Sequence, residues 1–143
     1  MSVAPCELCE RPGGAILWQN DLCRVVQPEE EGYPGFCRVI LARHVREMSD
    51  LGSADRARLM AVVFAVEEAV RETMRPDKVN LASLGNVVPH LHWHVVPRFG
   101  DDRHFPSPVW CEPRREAPAA PDRVRRAQAL GEAVRARLHA LSP

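Results

Sequence analysis

Polar and apolar residues alternate from His90 to Val96, where Leu91, Trp93 and Val95 separate His90, His92 and His94. Successive side chains of a β-strand point to opposite faces, so this period of two predicts a strand with all three imidazoles on one face. Four other short runs read as strands: Ala15–Trp18 and Leu22–Val26, joined as a hairpin by Gln19-Asn20-Asp21, then Phe36–Leu41 and Lys78–Leu84. Near Ser53 the period changes. Leu59, Val63, Val66, Val70 and Met74 recur at three- and four-residue spacings, which predicts a helix with one apolar stripe, capped by the Ser53 hydroxyl and ended by Pro76. A second helix is expected over 122–141, opened by Pro121 or Asp122, with Ala127, Leu130, Val134, Leu138 and Leu141 on one side. The intervening stretch 101–121 is too rich in proline for a helix interior and long for a plain connection. It reads as an ordered loop, serving either a site or interface, or a cover in which Phe105 and Trp110 patch the core. Clustered short strands with two amphipathic helices indicate an α+β fold with a mainly antiparallel sheet of about five strands, one domain over 1–143.

Charge narrows the choice of partners. The 143 residues carry 19 Lys plus Arg against 19 Asp plus Glu, a net charge of zero, so there is no overall electrostatic case for nucleic acid or an anionic membrane. A small ligand is the better expectation. The first residues have neither a basic start nor an apolar run, and no segment approaches the roughly 20 apolar residues of a membrane span; a soluble, cytoplasmic protein is expected. Five cysteines, an odd number, suit reduced thiols or a metal site better than a disulfide framework. Cys6 and Cys9 form a Cys-x-x-Cys pair, readable as half of a zinc site, a redox dithiol or chance. No Gly-x-Gly-x-x-Gly or Walker-type lysine loop is present, so a nucleotide would not be held in either of those ways.

The histidine row is the strongest chemical signal. Adjacent positions on one strand face lie about 6.6 Å apart and the outer pair about 13 Å apart, so two of the imidazoles can reach one metal and three cannot easily do so. Two sharp readings follow: a metal clasp by His90 and His92 serving a metal-dependent hydrolase, or histidines with divided roles along a substrate lying across the strand. A merely His-rich polar face is the bland alternative.

The run His90–Val96 resembles the signature of the histidine triad (HIT) family, in which three histidines alternate with apolar residues. The flanks are similar too: Gly85-Asn86 stands where the family usually has Gly-Gln, Pro34-Gly35 matches its Pro-Gly-His region, and Pro97-Arg98 matches an ending common in its dinucleoside polyphosphate hydrolases. The resemblance implies an α+β domain that pairs into a homodimer and acts as a nucleotide hydrolase or transferase at the α-phosphate. It makes His92 the nucleophile that forms a nucleotidyl-histidine, His94 the leaving-group contact, and the His90 carbonyl the acceptor of the His92 Nδ1 proton. It assigns Gly85, Asn86, Val87 and Val88 to phosphate contacts, with Gln27 at a ribose-contacting position usually held by Asn or Asp. Zinc-containing members imply a structural zinc on Cys6, Cys9, His44 and His90. Dinucleoside polyphosphates and nucleoside phosphoramidates are the substrates in view, and a nucleotide-binding protein without catalysis is the non-enzymatic alternative.

Overall fold

A computed structural model describes residues 5–141. The chain begins with a single helical turn, α1 (Glu7–Glu10), then runs through β1 (Ala15–Gln19), β2 (Cys23–Gln27) and β3 (Cys37–Leu41). A 3-10 turn over Met48–Asp50 precedes the long α2 (Ser53–Met74), followed by β4 (Lys78–Ala82), β5 (His92–Arg98), α3 (Pro121–Gln128) and α4 (Leu130–Leu141). The five strands form one antiparallel sheet in the order β1-β2-β3-β5-β4. This is the expected α+β architecture.

Strand alternation divides the sheet into a packed face and an open face. Val25, Val39 and Val95 join Leu59, Val63, Val66, Val70 and Met74 of α2 and Leu130, Val134 and Leu138 of α4 in one buried cluster. The predicted α2 stripe is therefore the core seam. On the other face, Val26 and Ile40 pack with Leu8, and Val96 packs with Tyr33 and Phe36. Between those two small clusters the face carries His92, His94 and Arg38. Gly35 enters β3 with φ +86°, and a Cβ there would stand 2.8 Å from the Met74 sulfur, so a larger residue would both strain the turn and press on α2.

Several expectations are corrected at this level. The long helix has Gly52, not Ser53, at its N-cap, with no side-chain cap bond; Ser53 already lies inside, and the Gly52 carbonyl takes the first bond, from the Arg56 N–H at 3.0 Å. The C-terminal helix is two helices. They part at Ala129, whose N–H turns back to Arg126 O at 3.0 Å in a tighter turn. Leu141 leaves the stripe and is 52% exposed at the end of α4. The fourth strand ends at Ala82, because the Ser83 hydroxyl turns to donate to the His92 carbonyl at 2.8 Å. The fifth begins at His92 rather than His90, since the Leu91 N–H donates to Val45 O, in the loop after β3, at 2.8 Å.

Candidate active site and metal centre

His92 and His94 sit side by side on the open face of β5, ring centroids 4.9 Å apart, opposite Ile40 and Arg38 of β3 respectively. His90 precedes this pair in the chain. It lies just before the strand, fully buried, and its Nε2 is 2.7 Å from Leu41 O. With the proton on Nε2 for that carbonyl, the Nδ1 lone pair is left to point toward Cys6 and Cys9. Burial lowers the His90 pKa and favours this neutral form.

The His90 backbone also serves its neighbour. Its carbonyl oxygen accepts from His92 Nδ1 at 2.6 Å, which selects the His92 tautomer with its proton on Nδ1 and its lone pair on Nε2. In that tautomer Nε2 is the ring atom that faces the adjoining cavity with a lone pair. His94 stands in a different state: its Nδ1 is buried without a hydrogen-bond partner. Burial first, then the neighbouring His92 and Arg38, push its pKa down to about 4, so its ring is neutral at physiological pH.

Both histidines line a cavity of about 380 Å³ together with Gly85, Asn86, Val87 and Val88. Gly85 supports this turn with φ +73°, a conformation that a side chain would oppose. The cavity is completed by Arg38, Leu84 and Trp110 and by Glu7 and Leu8 of α1. Gln27 is not brought to it. Alternation along β2 sends Arg24 and Val26 to the histidine face and Val25 and Gln27 to the helix face. Gln27 instead lines a separate space of about 600 Å³ with Val124, Ala127 and Gln128 of α3 and the Glu29–Glu31 loop.

Cys6, Cys9, His44 and His90 form a second cluster whose donor atoms all lie within 4.8 Å of one another and could hold a metal ion. Cys6 Sγ is 3.4 Å and Cys9 Sγ 3.5 Å from His90 Nδ1, Cys9 Sγ is 3.5 Å from His44 Nδ1, and the two Nδ1 atoms are 3.3 Å apart. The α1 turn puts both thiols on one side, with the Cys9 and Glu10 N–H groups bonded to Cys6 O. Arg24 braces that turn by donating to the carbonyls of Pro12 (2.8 Å), Leu8 (2.7 Å) and Arg11 (3.0 Å). His92 stands outside the cluster, so His90 and His92 do not form a shared clasp.

The loop over 101–121 is pinned to β5, and neither Phe105 nor Trp110 joins the buried core clusters. Asp102 anchors it on β5, accepting from Arg98 Nε at 2.8 Å and Nη2 at 3.1 Å and from the N–H groups of Phe99, His104 and Phe105. Burial alone would raise the Asp102 pKa, but these donors hold it well below the carboxylate range. The Phe105 ring centroid lies 5.6 Å from the Arg98 guanidinium carbon, whereas Trp110 reaches the cavity, its ring centroid 4.9 Å from that of His94. Arg24, Arg38 and Trp110 were not among the expected site residues. For the arginines the only signal is their place on the histidine face of β2 and β3; Trp110 gave none beyond its proline-rich surroundings.

Residues 13–101 match the HIT domain family. Two Mycobacterium tuberculosis proteins, from different strains and both described as AP-4-A phosphorylase, are 35% identical to this chain over 78 residues, 50% of the chain and 40% of the relative. The match thus spans less than half the length of these relatives. A histidine triad protein from Marinobacter aquaeolei superposes with a TM-score of 0.73 at 26% identity, over 96% of this chain and 98% of the other. A zinc-bound histidine triad family protein from Mycobacterium smegmatis has a TM-score of 0.61 at 22% identity, over 90% and 88%; at that identity the likeness is one of fold.

Proposed function

This chain belongs to the HIT domain family, and on that premise we propose that it is a nucleotide hydrolase that cleaves at the α-phosphate through a nucleotidyl-histidine intermediate. The observation that carries the reading is the 2.6 Å bond from His92 Nδ1 to the His90 carbonyl, which gives His92 Nε2 a free lone pair in a cavity shared with His94 and Gly85–Val88. Nε2 attacks phosphorus, the bond to the bridging oxygen breaks, and the leaving group takes the electron pair. His94 contacts that oxygen, and N–H groups of the Gly85–Val88 turn stabilise the equatorial oxygens as charge builds. Water then adds to phosphorus and gives up a proton to solvent, the P–N electrons return to Nε2, and nucleoside monophosphate is released. Dinucleoside polyphosphates and nucleoside phosphoramidates are the substrates to assay, with His92→Ala as the control. Loss of turnover by more than about 1000-fold is expected; normal turnover by His92→Ala would sink the mechanism, and tight binding without turnover would favour a nucleotide-binding protein.

The likeness to AP-4-A phosphorylases favours a second outcome for the same intermediate: inorganic phosphate in place of water would yield a nucleoside diphosphate. Running the assay with phosphate present distinguishes transfer from hydrolysis by the product.

The metal in the Cys6, Cys9, His44 and His90 site is proposed to be zinc with a structural role. Bonds of about 2.3 Å to sulfur and 2.0–2.1 Å to nitrogen in a tetrahedron give edges of about 3.3 Å between nitrogens and about 3.5 Å from nitrogen to sulfur. The four measured contacts, 3.3 to 3.5 Å, fit those edges. Four protein donors leave no open position, and bound zinc would supply rigidity to α1 and to the His90 carbonyl rather than chemistry at the substrate. The chain is further proposed to work as a homodimer in the cytoplasm; among the described residues no helix is long and apolar enough to cross a membrane.

A further inference from the structure

Arg38 is a costly residue in its position. It stands directly across the β3–β5 ladder from His94, on the sheet face that carries His92, and it lines the same cavity as both histidines. Its Nε is buried without a partner, as is His94 Nδ1. Two unsatisfied polar atoms thus fall on cross-strand neighbours in one cavity. The Phe36 ring centroid lies 5.8 Å from the guanidinium carbon, and the ion pair is with Glu30, 3.1 Å from Nη2, with the two side chains 25% and 40% exposed. A pair that exposed contributes little and does not account for a cation set beside two imidazoles. Its planar donors instead suit a phosphate-type anion.

We propose that Arg38 is a specificity residue that binds the phosphoryl oxygens of an anionic leaving group, so that the enzyme favours phosphoanhydrides over phosphoramidates. This rests on the nucleotidyl-histidine reading. The state of His94 supports the assignment. Held neutral by burial, His92 and Arg38, it is a poor source of a full proton. A phosphate leaving group departs as an anion, its new charge matched by a fixed cation, whereas an amine must gain a proton as the P–N bond breaks. Arg38 and His94 together thus suit a leaving group that needs charge rather than a proton.

The test compares wild type, Arg38→Met and Arg38→Lys on a dinucleoside polyphosphate and on a nucleoside phosphoramidate with the same nucleotidyl half. Arg38→Met is expected to lower kcat/KM about 100-fold on the polyphosphate and less than about 3-fold on the phosphoramidate, with Arg38→Lys between. Equal losses on both substrates, or no loss on the polyphosphate, overturn the assignment. Calorimetry with a nucleoside diphosphate and the matching nucleoside reads Arg38 without turnover: the wild type should favour the diphosphate and Arg38→Lys should lose about 10-fold of that preference. An unchanged preference refutes the role. Should Arg38→Met fail to fold, Arg38→Lys in both assays decides. Absence of wild-type turnover on both substrates would count against the proposed function, while the calorimetry still judges Arg38.

Discussion

Replacing Asp102 by asparagine tests how the loop that carries Trp110 is held. Arg98 and Asp102 are 3% and 2% exposed at the side chain, and Asp102 also accepts from three backbone N–H groups and from the Tyr33 hydroxyl at 3.1 Å. Breaking a buried pair by removing one charge costs about 3–5 kcal/mol, because the other is left uncompensated. Arg98 keeps Asn80 Oδ1 and Ser107 O at 2.7 Å each, and the asparagine oxygen still accepts, so the lower end, about 3 kcal/mol, is expected. For a chain of 143 residues this is a fall in Tm of roughly 10 °C. Urea unfolding of wild type and Asp102→Asn at pH 7 measures it. The linkage has a definite sign: a carboxylate whose folded pKa is depressed stabilises above its unfolded pKa of about 3.9 and loses that contribution as pH falls below it. The difference between the two proteins should therefore be constant from pH 7 to pH 5 and shrink below pH 4. A difference under about 1 kcal/mol at pH 7, or one that vanishes already at pH 6, would refute the buried-pair account.

Other expectations follow from the same structure. His94 has a folded pKa of about 4 against about 6.5 unfolded; its contribution is complete above pH 6.5 and is lost as pH falls toward 4, at most about 3 kcal/mol in all. In His94→Asn the pH dependence of unfolding free energy between pH 6 and 4.5 should flatten by up to about 1.4 kcal/mol per pH unit, and an unchanged slope contradicts the assignment. Cys9→Ser should abolish retention of one zinc per chain, measured by elemental analysis, and lower Tm; chelation that spares kcat supports a structural metal, whereas loss of kcat with the fold intact would restore a catalytic one. Light scattering should give about twice the 16.0 kDa chain mass if the protein is the proposed dimer, and the single-chain mass would refute it.

The alternation around the histidines and the spacing of Leu59, Val63, Val66, Val70 and Met74 made most of the fold legible, because a strand facing a helical layer and a helix lying on a sheet each repeat at their own period. What escaped depends on contacts distant in sequence. The α1 turn has no apolar period and is braced by Arg24 on β2, while Ala129 breaks a stripe that sequence alone carries straight through. The period of two shows the triad as one row but not that the Leu91 bond to Val45 O ends the strand ladder before His90, whose Nε2 meets the Leu41 carbonyl. Gln27 lies away from the histidines through strand parity: one position along β2 decides which face a side chain reaches. Arg38 obeyed the same parity but lay in a run that reads as core.

The account turns on His92 as the atom that carries the nucleotide. Wild-type protein mixed with a dinucleoside polyphosphate, quenched within the first turnover and digested under conditions that spare phosphoramidate bonds, should yield a peptide heavier by one nucleotidyl group, with fragmentation locating it on His92. Nucleotide found on another residue, or active turnover with no adduct at any quench time, would contradict the account.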